Sequence, residues 1–169
     1  MAEVLSRIEA CIPALRRYAH ALLRNPQDAD DLVHDTLLRA LSKLNTRREQ
    51  GDVRSWLFAI MHNLLVSQVR REKIRAAFEP AVHGNQTVQG GQEEGLRWAE
   101  LMRKLNCLPE EQRLVILLVS VEDLSYAEVA RVLRIPVGTV MSRLARGRER
   151  LRQMTVGEAE TRPCLRRVK

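Results

Sequence analysis

The stretch Leu124 to Leu151, LSYAEVARVLRIPVGTVMSRLARGRERL, decides the reading of this chain. Its residues are ordered as a helix-turn-helix would require. Ser125, with Glu128 three positions on, predicts a capping box at the first helix's start. Val129, Val132 and Leu133 recur at helical spacing and predict its inward stripe. Arg134-Ile135-Pro136 supplies the turn, and Pro136 suits the opening of the next helix, where a missing N–H costs nothing. In that helix Val140, Leu144 and Leu151 can face inward, which leaves Arg143, Arg146, Arg148, Arg150 and Arg152 to face out. From Arg131 to Arg152 seven arginines stand against one acid, Glu149. Arginine offers a charge for phosphate and a planar fork for guanine, and such a helix lays its N-terminal part on base edges in the major groove. The alternative is a helical hairpin with a solvated basic face. Capping box, turn and basic helix arriving together at this spacing weigh against it.

The rest of the chain bounds the partners. A net charge of +7 and a pI near 10 favour a polyanion. Apolar content of 45% suffices for packed cores, but aromatics are only 4%, so those cores must rest on Leu, Val, Ile and Ala. There is no run of eighteen apolar residues, which argues against membrane insertion. The N-terminus MAEVLSRIEACIPALRR lacks the basic-then-apolar order of a signal peptide, so the expected location is the cytoplasm. Cys11, Cys107 and Cys164 lie far apart and do not cluster with His20, His34, His62 or His83. Neither a metal nor a cofactor is expected, and the cysteines read as small hydrophobes in a reducing compartment.

The organisation predicted is all-α, with two small helical domains joined by a flexible linker. Residues 1–72 form the first. Leu5, Ile8, Ile12, Leu15, Ala19, Leu22 and Leu23 mark one helix, which Pro13 either kinks or starts. Asn25-Pro26 breaks it. A second helix begins near Gln27 and carries Ala29, Leu32, Val33, Leu37, Leu41 and Leu44; a third runs from about Val53 through Arg71 with Trp56, Leu57, Ile60, Leu64 and Val69 apolar. Trp56 reads chiefly as core and Phe58 as either core or site. Periodicity collapses over 73–95, the expected linker. Residues 96–154 form the second domain, ending in the helix-turn-helix, and 155–169 read as a frayed tail.

Two helical domains in this order resemble one family, the extracytoplasmic-function group of bacterial sigma factors. DADDLVHDTLLRAL (Asp28 to Leu41) is similar to the segment that docks on RNA polymerase. VRSWLFAIMHNLLVSQVRR (Val53 to Arg71) is similar to the segment that opens and reads the −10 promoter element. LPEEQRLVILLVSVEDLSYAEVARVLRIPVGTVMSRLARGRERL (Leu108 to Leu151) is similar to the segment that reads the −35 element. RSWLFAIMHNLL and the tail LRRVK also resemble the general-stress branch of that family. The resemblance implies three partners: core polymerase, through the clamp helices of its largest subunit and its flap; promoter DNA; and an anti-sigma factor that covers the docking surface.

Residue by residue, the resemblance and the chemistry select the same positions. Asp28, Asp30, Asp31 and Asp35 open a helix whose other face is leucine-rich. Helix-dipole complementarity accounts for the first two but poorly for Asp35, about two turns in. Asp31, Leu32, Asp35 and Arg39 are therefore the expected polymerase contacts. Asn63, Arg70 and Arg71 are the expected −10 contacts, combining a base-edge amide with charges that follow a phosphate backbone. The family's flipped-base pocket would lie near the loop Thr46–Val53. On the GTVxSRLxRAR pattern, here Gly138 to Arg148, the −35 contacts fall on Thr139, Ser142, Arg143, Arg146 and Arg148. Met141 departs from the family's usual Lys or Arg, and Gly147 stands where Ala is common. Two other functions remain open at this point: a stand-alone regulator with an N-terminal sensing domain, which would usually dimerise, and a nuclease. The acidic Asp28–Asp35 face disfavours the first. The absence of paired acids with catalytic partners, HExxH or GxxxxGK disfavours the second.

Overall fold

A computed structural model describes residues 2–23, 25–44, 52–78 and 93–161, with side chains of 72–78, 93–99 and 156–161 left aside. All regular structure among the described residues is helical. The first half is a bundle of α1 (Ala2–Leu22), α2 (Pro26–Ser42) and α3 (Val53–Phe78), each packed on the other two. Asn25 caps α2: its side-chain oxygen accepts from the Gln27 N–H at 2.9 Å, and Pro26 fills the first helical position, where no donor is needed. Pro13 neither ends nor starts α1, which runs through it. The core holds Leu15, Tyr18, Leu32, Leu57, Phe58 and Met61, and the Tyr18 and Phe58 rings meet edge to face at 5.2 Å. Phe58 is thus core; Trp56 is half-buried and packs beside it.

The second half comprises α4 (Glu93–Asn106), α5 (Glu110–Ile116), α6 (Tyr126–Leu133) and α7 (Val137–Thr161). Past Ile116, α5 widens into a π-turn over Leu117–Val121. The capping box forms in full: Ser125 Oγ accepts from the Glu128 N–H, and the Glu128 carboxylate accepts from the Ser125 N–H at 2.9 Å. Arg134 closes α6 in the left-handed conformation at φ 55°, a position that favours glycine. The helices outrun the boundaries read from the sequence. α3 continues beyond Glu72 to Phe78, α4 starts at Glu93, and α7 reaches Thr161. Residues 73–78, KIRAAF, are good helix formers that carry the turn onward without a core-facing stripe to announce it. The halves are also not independent: α6 packs on α3, and the buried side chains of both belong to one continuous cluster.

Candidate nucleic-acid interface

The second helix of the helix-turn-helix, α7, is gripped from behind by α5 and α6. Val140 and Leu144 are buried there, and so is Gly147, which explains its glycine. A Cβ at Gly147 would stand 2.6 Å from Ile116 Cδ1 and 3.3 Å from Gln112 Cβ. The close approach of α5, rather than helix propensity, sets that residue. The same approach corrects the expectation that every α7 arginine faces out. Arg143 is half-buried, its guanidinium 2.8 Å from the carboxylate of Glu111 in the first turn of α5. Arg143 can meet a base only by leaving or sharing that partner. Arg148 is exposed and donates to Ser120 Oγ at 3.2 Å. Arg152 pairs with Glu149 through two hydrogen bonds, which hold the Glu149 carboxyl below its ordinary pKa. Arg146 and Arg150 are exposed, with no ion pair among the described residues. Thr139 is half-buried, and Ser142 Oγ donates to the Thr139 carbonyl at 3.1 Å.

On α3, Arg70 and Arg71 are exposed, while Asn63 is half-buried and gives one amide hydrogen to the Ala59 carbonyl at 2.7 Å. Residues 45–51, most of the loop expected to form the flipped-base pocket, lie outside the described residues. On α2, Asp31, Asp35 and Arg39 are exposed, but Leu32 is 3% exposed and belongs to the core. Leu32 is therefore corrected from surface contact to packing residue: it shares the inward stripe with Ala29, Val33 and Thr36. The leucines that α2 does present are Leu38 and Leu41, about half exposed and in line with the acids at helical spacing. Asp30 is exposed and faces Arg16 and His20 across the surface of α1.

Sequence reasoning missed the residue that joins the halves. Glu122, at the end of the π-turn, has a fully buried side chain. Its Oε2 accepts from Arg17 of α1 at 3.1 Å and from Arg54 of α3 at 2.8 Å. The acid pair Glu122-Asp123 closing the largely apolar run LVILLVSV was the available signal. His62 of α3 lies in the same junction. Burial pushes its imidazole below the ordinary pKa, while Glu110 and Arg134 from the other half pull it in opposite directions. The folded chain therefore binds this proton less readily than the unfolded chain. Folding stability is intact above the unfolded value near 6.5 and declines as pH falls through it. His62→Gln is expected to flatten the fall in Tm between about pH 7 and 5.5; parallel slopes for the two proteins would remove His62 as the cause.

The comparisons with known proteins agree with this geometry. Residues 8–62 match the family described as the Sigma2 domain of PhyR, and residues 98–151 match sigma-70 region 4. The chain is 34% identical over 145 residues to the ECF RNA polymerase sigma factor EcfG of Rhodopseudomonas palustris (strain TIE-1), covering 85% of this chain and 80% of that protein. It is 31% identical over 147 residues to the ECF RNA polymerase sigma factor SigW of Bacillus subtilis (strain 168), covering 79% of each. Among solved structures, the sigma factor RpoE bound to the anti-sigma factor NepR from Bartonella quintana superposes with a TM-score of 0.84 at 28% identity, over 92% of this chain and 98% of that one. CnrH bound to the cytosolic domain of CnrY gives 0.68 at 25% identity, over 91% of this chain and 88% of that one.

Proposed function

Because the chain belongs to the extracytoplasmic-function sigma factors of the sigma-70 family, we propose that three of its surfaces divide the work of directing RNA polymerase to promoters. The α2 strip of Asp31, Asp35, Leu38, Arg39 and Leu41 docks on the clamp helices of the polymerase largest subunit. The α3 face with Asn63, Arg70 and Arg71 engages the −10 element, where binding to the opened strand offsets lost base pairing. The α7 face with Thr139, Ser142, Arg146 and Arg148 engages the −35 element, joined by Arg143 once Glu111 releases it. The two halves, 1–72 and 96–154, each hold one element once the packing of α6 on α3 opens. The protein performs no chemistry, needs no cofactor, and works in the cytoplasm. Among the described residues no helix is long and apolar enough to cross a membrane.

One observation carries this reading. A basic recognition helix and an acid-and-leucine strip lie uncovered on the same chain, one suited to DNA and the other to a protein partner, since its charge repels DNA. The related sigma factor from Bartonella quintana is held by an anti-sigma protein. We extend that to this chain: an inhibitor covering the α2 strip would compete with polymerase by mass action.

In vitro transcription with core polymerase on a promoter library tests the assignment. Adding the chain should create a start-site preference that core enzyme lacks; unchanged initiation would defeat it. Reversing Asp31 and Asp35 together to Lys should weaken binding to core polymerase roughly tenfold, about 1.4 kcal/mol. Both carboxylates are exposed, so Tm should stay within about 1–2 °C of the parent. Equal affinity in a titration against immobilised core enzyme would move the docking surface elsewhere.

A further inference from the structure

The first six residues of α7, Val137 to Ser142, carry no charged side chain. What they present outward is apolar: Val137 is 42% exposed and Met141 53% exposed, one turn apart on the same face. Among the described residues nothing covers them: α7 packs on α4, α5 and α6 through the neighbouring face of Val140, Leu144 and Gly147. Gly138 beside them has open space where a Cβ would stand, so the helix is slim there and its backbone can approach a groove closely. The polar groups that follow are engaged internally, Ser142 with the Thr139 carbonyl and Arg143 with Glu111. The part of a recognition helix that reaches deepest into the groove is its N-terminal part. Here that part offers two greasy side chains, flanked further along by the exposed charges of Arg146 and Arg150 to hold phosphate.

Resting on the promoter reading above, we infer that Val137 and Met141 read thymine in the upstream element through its C5-methyl group. The argument is one of chemical exclusion. Among major-groove edges, guanine, cytosine and adenine present donors and acceptors that an apolar side chain would desolvate without replacing; thymine alone presents a methyl. Apolar contact with that methyl removes hydrocarbon from water on both sides. Met141 can adapt to the methyl's position because its side chain is unbranched and polarizable, while Val137 is stiff and sets the register. Upstream selectivity in this chain therefore rests on methyl contact as well as on arginine.

The test uses the full chain with core polymerase. The upstream element is first selected from a randomised duplex library, and each of its thymines is then replaced by deoxyuridine, which pairs identically but lacks the methyl. At the thymines facing Val137 and Met141, promoter binding should weaken three- to fivefold per methyl, as expected for roughly one methyl group's worth of burial. In Val137→Ser and Met141→Gln, that sensitivity should disappear at the matching thymine, so that each variant binds the thymine and deoxyuridine duplexes alike. Met141→Arg provides a second variant with good helix propensity; it too should ignore the methyl while gaining salt dependence. A selected element without thymine at these positions would overturn the inference. So would deoxyuridine without effect, or an equal effect in parent and variants. Failure to select any upstream element would overturn the promoter reading underneath and this inference with it.

Discussion

Alanine at both Arg17 and Arg54 is expected to part the two halves of the molecule. Glu122 is fully buried, and both of its ion-pair partners come from the other half. Removing them leaves a carboxylate with no compensation, a change that costs on the order of 3–5 kcal/mol when the site cannot rehydrate. Here it can: separation of the halves returns Glu122 to water, so the strain is relieved by opening rather than by unfolding. The junction is already a marginal one. Tyr18 Oη, His62 Nδ1, Arg54 Nε and Glu122 Oε1 are all buried without a hydrogen-bond partner, and each would be hydrated in an open chain. The opposite substitution is milder. Glu122→Gln leaves two arginines that are 47% and 36% exposed and can return to water, so the closed packing should largely survive.

Opening matters because the closed form is too small for its task. A compact chain of 169 residues is roughly 40 Å across. The −10 and −35 elements lie about 25 base pairs apart, or roughly 85 Å at 3.4 Å per pair. A closed sigma factor can hold one element, never both. Apparent affinity for promoter-bound polymerase is then reduced by the fraction of molecules that are open. The double alanine variant should raise that affinity by about ten- to a hundredfold and increase the radius of gyration in small-angle scattering. An unchanged radius would show that Glu122 does not hold the halves together.

The sequence made the helix-turn-helix legible because its signals are local. A capping box, a proline opening and a 3.6-residue stripe are each written within a few positions, and all three formed where expected. The three-helix bundle was legible for the same reason. What escaped depends on contacts between distant segments. Periodicity places Leu32 in the apolar stripe of α2, while the resemblance to a docking segment counts it among the polymerase contacts beside Asp31; only the packing shows that it is committed to the core. Arg143 was counted among the free cations because its partner, Glu111, stands 32 positions away and reaches it only through the packing of α5 on α7. Glu122 is the extreme case: its partners are 105 and 68 residues distant, and nothing local says which of Glu122 and Asp123 turns inward after the apolar run.

The largest loss of stability from one substitution is expected at Phe58. Its ring is fully buried and meets Tyr18 at 5.2 Å and 85°, in a chain with two phenylalanines altogether. Phe58→Ala removes that contact and leaves a cavity between α1 and α3, at a cost of about 3–5 kcal/mol. For a domain marginally stable by 5–15 kcal/mol, this is a large share, and Tm should fall by roughly 10 °C. Tyr18→Phe makes the complementary prediction on the same pair. The Tyr18 hydroxyl is buried with no acceptor, and burial drives its pKa well above the ordinary phenol value, so it stays protonated and donates to nothing. Deleting it keeps the ring and the edge-to-face geometry while removing an unsatisfied group worth about 1–3 kcal/mol against folding. Calorimetry should therefore show Tyr18→Phe at or above the parent Tm and Phe58→Ala far below it. If Tyr18→Phe lost as much as Phe58→Ala, the hydroxyl would have to be satisfied in solution, and the junction between the halves would be wetter and better bonded than this packing implies.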